Sequence, residues 1–179
     1  ETRHLDVERY QAAWRKLIEG HDMMRCIILP NGRQRVLETV PPYDIRYFDL
    51  RGLSEEEKSA KLDAIRDELG QIIKPADIWP MFDIYVSRLD EETYHIHLSL
   101  EGLFGDVLSL STMLDEIKQF YENPDCLLEP MELTFRDYVL SLENRRNMDS
   151  YRAARDYWKK RIPTLAPAPD MPVFTEQDI

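Results

Sequence analysis

Tyr94-His95-Ile96-His97-Leu98-Ser99-Leu100-Glu101-Gly102-Leu103-Phe104-Gly105-Asp106 is the stretch whose reading decides the fold. Its period-two alternation places Tyr94, Ile96, Leu98 and Leu100 on one face of a strand and His95, His97, Ser99 and Glu101 on the other. The polar face ends at a carboxylate. Gly102 and Gly105 are expected to let the chain turn through backbone angles that other residues resist, with Asp106 standing just before a helix. Val107, Leu110, Leu114, Ile117 and Tyr121 then recur at helical spacing and predict that helix's buried stripe. A polar strand end, a glycine loop and a helix start therefore meet at one place.

The remaining composition bounds what this meeting point can serve. With 179 residues, 43% of them hydrophobic, the chain can bury the core of one domain or one large lobe. Its 34 acidic against 23 basic residues give a formal charge of -11, which argues against nucleic acid or an anionic membrane surface as the main partner. No run of about 18 apolar residues predicts a membrane span. The opening Glu1-Thr2-Arg3-His4 lacks the regions of a secretory signal, so a cytoplasmic location is expected. Cys26 in an apolar run and Cys126 beside a proline loop lack metal-ligand spacing and read as reduced, structural thiols.

Upstream of the central strand, Asp6 is a plausible N-cap for a helix bearing Val7, Tyr10, Trp14, Leu17 and Ile18, ended by Gly20. Two strand-like runs, Met23 to Leu29 and Gln34 to Glu38, flank Asn31-Gly32, which predicts a hairpin because both residues tolerate positive φ. Pro41-Pro42 stops the second run, and Ile45 to Phe48 reads as a further short extended piece. Ser54 and Glu57 form a capping box for a helix turning Leu62, Ile65, Leu69, Ile72 and Ile73 inward, with Glu55 to Glu57 in a solvated first turn. Phe82 to Leu89, a turn at Asp90 to Thr93 and the central strand make an antiparallel hairpin feeding the glycine loop.

Downstream, Asn123-Pro124 ends the helix and Pro130 keeps the linker extended. Thr134 and Asp137 cap a helix bearing Phe135, Tyr138, Val139 and Leu142. Ser150 opens another bearing Tyr151, Ala154, Tyr157 and Trp158. A proline-rich segment follows Arg161.

Glu101-x-x-x-x-Asp106-x-x-Ser109 resembles the Asp-x-x-x-x-Asp-x-x-Ser signature of heterocyclization domains, a branch of the condensation domains of non-ribosomal peptide synthetases. Ordinary condensation domains and chloramphenicol acetyltransferase carry His-His-x-x-x-Asp-Gly there, so Glu101 and Gly102 stand where the histidines would be. The resemblance extends over Ala13-Trp14, His21-Asp22-Met23-Met24-Arg25, Asn31-Gly32-Arg33-Gln34, Pro41-Pro42-Tyr43, Asp49-Leu50-Arg51-Gly52, Tyr157-Trp158 and the prolines of 163–169. It implies an α/β lobe of the chloramphenicol-acetyltransferase-like fold, with a mixed, mainly antiparallel sheet flanked by helices. Residues 1–162 would form the amino-terminal lobe and 163–179 would lead toward a second lobe absent from this sequence. The family's second-lobe aspartate and threonine, implicated in cyclodehydration, have no position here.

The implied activity joins a carrier-bound acyl group to a carrier-bound Cys, Ser or Thr and cyclodehydrates the product to thiazoline or oxazoline. The partners would be carrier proteins delivering phosphopantetheine arms, adjacent synthetase domains and the second lobe, with no cofactor bound directly. Asp106 could transfer protons or cap the helix and pair with an Arg, and Ser109 reads as a first-turn hydrogen-bonding residue because nothing marks a base beside it. Glu101 adds a methylene to the family Asp. It could be a tolerated variant, mark condensation without ring closure, or mark a non-catalytic module that binds carrier proteins. His95 and His97 share the Glu101 face, where zinc would be conceivable, but alternation alone produces their spacing and no metal is expected.

Overall fold

The hairpin feeding the loop lies at the centre of a mixed sheet. In the computed structural model, which describes residues 1–127 and 131–169, the chain divides into two compact units, Glu1–Glu132 and Leu133–Ile179. The first unit runs β1 (Thr2–Arg3), α1 (Val7–Gly20), a 3-10 turn (Asp22–Arg25), β2 (Cys26–Ile28), β3 (Gln34–Val36), β4 (Arg46–Asp49), α2 (Glu55–Gln71), β5 (Phe82–Arg88), β6 (Thr93–Leu100) and α3 (Val107–Glu122). Four strands form one sheet in the order β1-β6-β5-β4, and β2 with β3 forms a separate ribbon. β5 and β6 are antiparallel, with Phe82 opposite Leu100 and Arg88 opposite Tyr94, whereas β4 runs parallel to β5. A parallel neighbour needs a crossover, and α2 supplies it.

The alternation in β6 sorts the two faces as expected. Tyr94, Ile96, Leu98 and Leu100 pack in the main core with Phe82, Ile84 and Val86 of β5, Trp14 and Leu17 of α1, and Ile117 and Phe120 of α3. On the other face Ile65 and Leu69 of α2 cover Tyr85 and Phe48. Asp6 accepts from the Arg9 N–H to cap α1, and Ser54 with Glu57 forms the complete capping box of α2.

Several local expectations are corrected. Met23 to Arg25 lie in the 3-10 turn, because the Arg25 guanidinium gathers the Ile18 and Leu37 carbonyls and the Asp22 carboxylate, and the strand begins at Cys26. In the ribbon turn Gly32 has φ +76° but Asn31 has no positive φ. The Gly32 N–H closes onto the Leu29 carbonyl at 2.8 Å instead. α2 stops at Gln71, so Ile72 and Ile73 leave its inward face, and Ile73 is 91% exposed. Of the expected α3 stripe, Ile117 is buried and Leu110 and Tyr121 pack partly buried against the core, whereas Val107 and Leu114 are exposed and Met113 and Phe120 are buried beside them. Spacing of the aliphatic residues alone left out Met113 and Phe120, whose larger apolar surfaces take the core.

The second unit contains α4 (Phe135–Arg145), α5 (Asp149–Arg161) and a 3-10 turn (Ile162–Thr164). Thr134 and Asp137 cap α4 as expected, whereas α5 starts one residue before Ser150, with Met148 at its cap and no side-chain bond. The apolar faces expected to be buried stay largely open: Phe135, Tyr138, Tyr151, Tyr157 and Trp158 are all exposed. The expectation for Pro130 falls outside the described residues.

Candidate functional site

The loop after β6 is pinned at both ends. At its start the Glu101 N–H donates to the Met81 carbonyl at 3.0 Å, extending the β5–β6 ladder one step past Leu100. The Phe104 N–H then turns back to the Glu101 carbonyl at 3.4 Å, and the Phe104 ring is buried 5.9 Å from the Phe82 ring. Phe82 also packs against Trp14, Tyr43 and Trp79. One aromatic side chain thus anchors a polar loop in the core.

At its end the loop passes into α3 through a capping box. The Ser109 N–H and hydroxyl each donate to Asp106 Oδ1 at 2.8 Å, and the Asp106 N–H donates to Ser109 Oγ at 3.2 Å. The Ser109 backbone and hydroxyl donors hold the Asp106 carboxyl below the usual carboxylate range. Ser109 therefore does have a carboxylate beside it, contrary to the expectation, but one whose proton affinity is lowered. Such a carboxylate is a poor general base for a hydroxyl. Among the described residues Asp106 makes no ion pair with an arginine.

The two glycines act differently from the expectation. Neither has positive φ. A Cβ on Gly105 would meet Ser109 Cβ at 3.1 Å, whereas one on Gly102 would meet nothing within 4 Å. Gly105 is needed for close approach to the capping box, and Gly102 is not.

Glu101 is half-buried and faces a different neighbourhood. Its Oε1 lies 3.5 Å from the Lys74 N–H, and the Lys74 ammonium pairs with Asp83 at 2.8 Å. Asp83 could have been placed near Glu101 from alternation along β5, but Lys74 enters through a loop that no period describes. His95 and His97 lie on the same strand face with ring centroids 4.4 Å apart, and each has an enclosed Nδ1 with no partner among the described residues. Burial pushes both imidazoles below their ordinary pKa, and for His97 the neighbouring His95 adds to this. No group of three or more His, Cys, Asp or Glu residues able to hold a metal occurs among the described residues.

A cleft of about 520 Å³ lies between α1 and the 38–43 segment, lined by Arg15, Ile18, Arg25, Val40, Pro41 and Tyr43 among others. Both arginines are engaged, Arg15 by Asp44 and the Tyr43 carbonyl and Arg25 as described above. The cleft shares no lining residue with the 101–109 loop.

An antiparallel hairpin that ends in a carboxylate loop and a capped helix, inside a mixed sheet with helices on both faces, defines an α/β lobe of the chloramphenicol-acetyltransferase-like type. The chain belongs to the condensation-domain family, whose model matches residues 2–177. It is 33% identical over 172 residues to bacitracin synthase 1 of Bacillus licheniformis, covering 96% of this chain and 3% of that one. Pyochelin synthetase PchF of Pseudomonas aeruginosa is 33% identical over 173 residues, covering 97% of this chain and 10% of that one. The crystallised EpoB cyclization-docking bidomain of a Sorangium cellulosum non-ribosomal peptide synthetase superposes with a TM-score of 0.89 at 35% identity, covering 98% of this chain and 35% of that one. The chain thus spans a small part of each of these relatives. No helix among the described residues is long and apolar enough to cross a membrane.

Proposed function

We propose that the chain is the amino-terminal lobe of a heterocyclization domain in a non-ribosomal peptide synthetase, with residues 1–162 as the lobe and 163–179 leading toward the second. The observation that carries this reading is the loop itself. A carboxylate, Glu101, ends the strand where ordinary condensation domains have histidines, and Asp106 and Ser109 follow at the signature spacing. Similarity to a cyclization bidomain at 35% identity supports it, as does the 28% identity to a phenyloxazoline synthase of Mycolicibacterium paratuberculosis.

The chemistry proceeds in two stages. The amine of a carrier-bound Cys, Ser or Thr attacks the upstream thioester, a C–N bond replaces the C–S bond, and the freed thiol keeps the proton lost by nitrogen. The side-chain thiol or hydroxyl then adds to the amide carbonyl, and the carbonyl oxygen leaves as water with one hydrogen from that group and one from nitrogen. Substrates arrive in the cytoplasm on phosphopantetheine arms of carrier proteins, and the lobe holds no cofactor of its own. Bringing both arms to one site makes the attack effectively unimolecular.

Asp106 and Ser109 keep the helix start and the loop in place. Glu101 ends the strand with Oε1 near the Lys74 N–H and Oε2 free of hydrogen bonds among the described residues. The longer Glu at this position favours a second reading, a domain that condenses without cyclizing or only binds carriers. In a carrier-loaded assay of the intact domain, Asp106→Asn should retain activity within about threefold because Asn caps as well as Asp, and Asp106→Ala should lose it. Equal loss in both would make Asp106 a proton-transfer group.

A further inference from the structure

Among the described residues Ser87 is the one buried side chain that is neither apolar nor aromatic, and none of its surface is exposed. It stands in β5, paired with Phe48 of β4 on one side and His95 of β6 on the other. An enclosed central-strand position ordinarily takes a β-branched or aromatic residue, so a hydroxyl there needs a hydrogen-bond partner. Its Oγ has none among the described residues, and neither do the enclosed Nδ1 atoms of His95 and His97. All three side chains lie on one face of the sheet. Ser87 is directly opposite His95, where cross-strand Cβ atoms are about 5 Å apart. The rings of His95 and His97 are 4.4 Å apart. Three unpartnered polar atoms therefore gather at one place.

Leaving one buried polar group unpaired costs about 5- to 100-fold in the folding equilibrium, so three together need something that joins them. Their chemistry selects the guest. A serine hydroxyl donates one hydrogen, and each neutral imidazole with its proton on Nε2 offers Nδ1 as an acceptor. One water molecule matches that set, accepting from Ser87 and donating its two hydrogens to the two rings. Burial holds both imidazoles below their ordinary pKa, in the neutral form that accepts. A metal cation is poorly served: no third His, Cys, Asp or Glu joins the two histidines among the described residues, and the Arg66 guanidinium of α2 opposes positive charge at both rings. An anion needs donors, and the Ser87 hydroxyl is the single donor that the neutral trio turns inward.

We propose that Ser87, His95 and His97 form an internal water site between β5 and β6, and that the bound water holds both imidazoles in the Nε2–H tautomer. The site carries a polar strand face along the α2 side of the sheet, where Ile65 and Leu69 cover Tyr85, without leaving a polar atom unpaired. It is independent of the heterocyclization reading.

The experiment uses the intact domain as wild type and as Ser87→Ala, a change small enough to keep the strand. In urea titrations Ser87→Ala should raise the unfolding equilibrium constant about fivefold, because the water loses its donor. A hydroxyl bound to nothing predicts the opposite sign, since its removal relieves a cost. Proton–nitrogen correlation spectra of the domain with nitrogen-15-labelled histidine, recorded slightly above neutral pH and assigned with His95→Gln and His97→Gln, read the tautomers directly. Both rings should carry their proton on Nε2 alone in the wild type and a mixture of tautomers in Ser87→Ala. A high-resolution crystal structure should place one solvent oxygen about 2.7–3.2 Å from all three atoms. An unfolding constant unchanged or lowered in Ser87→Ala, a proton on Nδ1 of either wild-type ring, or a crystal structure with no solvent peak there would each overturn the proposal. So would a peak whose anomalous signal identifies a metal ion.

Discussion

Replacing Phe104 by Ala tests whether the loop is held by the core or merely rests on it. Phe104 is 7% exposed and its ring lies 5.9 Å from that of Phe82. Truncating a buried Phe costs about 3–5 kcal/mol, and a loop site that can partly collapse belongs at the lower end, about 3 kcal/mol. For a unit of this size about 4 °C is lost per kcal/mol, so Tm should fall by ~12 °C. Phe104→Leu, which keeps most of the volume, should cost ~1 kcal/mol. Urea titration followed by tryptophan fluorescence reads the change at its source, since Trp14 and Trp79 both pack against Phe82. If Phe104→Ala costs less than about 1 kcal/mol, the ring does not anchor the loop. Core packing through Phe104 would then not be what holds the 101–106 loop in place.

Other consequences are as direct. Gly105→Ala should loosen the capping box, because its Cβ would sit 3.1 Å from Ser109 Cβ, while Gly102→Ala should leave thermal stability unchanged; comparing the two melts checks this. His95 and His97 titrate below their ordinary value of 6.5 in the folded chain, so the unfolded chain binds more protons just below that pH. Their neutral forms therefore stop protecting the fold as pH falls through 6.5 and below, and replacing both by Gln should flatten the acid side of a stability–pH profile. Ser54→Ala removes the acceptor for the Glu57 N–H and should cost about 1 kcal/mol in a denaturant titration.

The parts of the fold set by local rules were legible in the sequence. Alternation through Tyr94 to Leu100 identified the strand and its core face, and the capping pairs Ser54–Glu57 and Thr134–Asp137 marked helix starts. Contacts between distant segments were not legible. Nothing local shows that Arg46–Asp49 pairs parallel with β5, or that Thr2–Arg3 adds an edge strand to β6. Along α3 the spacing picks out Leu110, Ile117 and Tyr121 but not Met113 and Phe120, because neighbouring faces of that helix are both apolar and only packing against α1 and the sheet selects among them. At the site, the resemblance to the family signature picks out Glu101, Asp106 and Ser109 but not what they touch. Asp106 and Ser109 bind each other, whereas Glu101 reaches Lys74, 27 residues away.

The measurement that bears most directly on the function is intact-protein mass spectrometry of the whole domain with an acyl group and Cys, Ser or Thr loaded on their carrier proteins. The heterocyclization account predicts an amide on the downstream carrier, followed by loss of one water. Amide without water loss would contradict ring formation, and no product with carrier binding intact would mean a module that binds without catalysing.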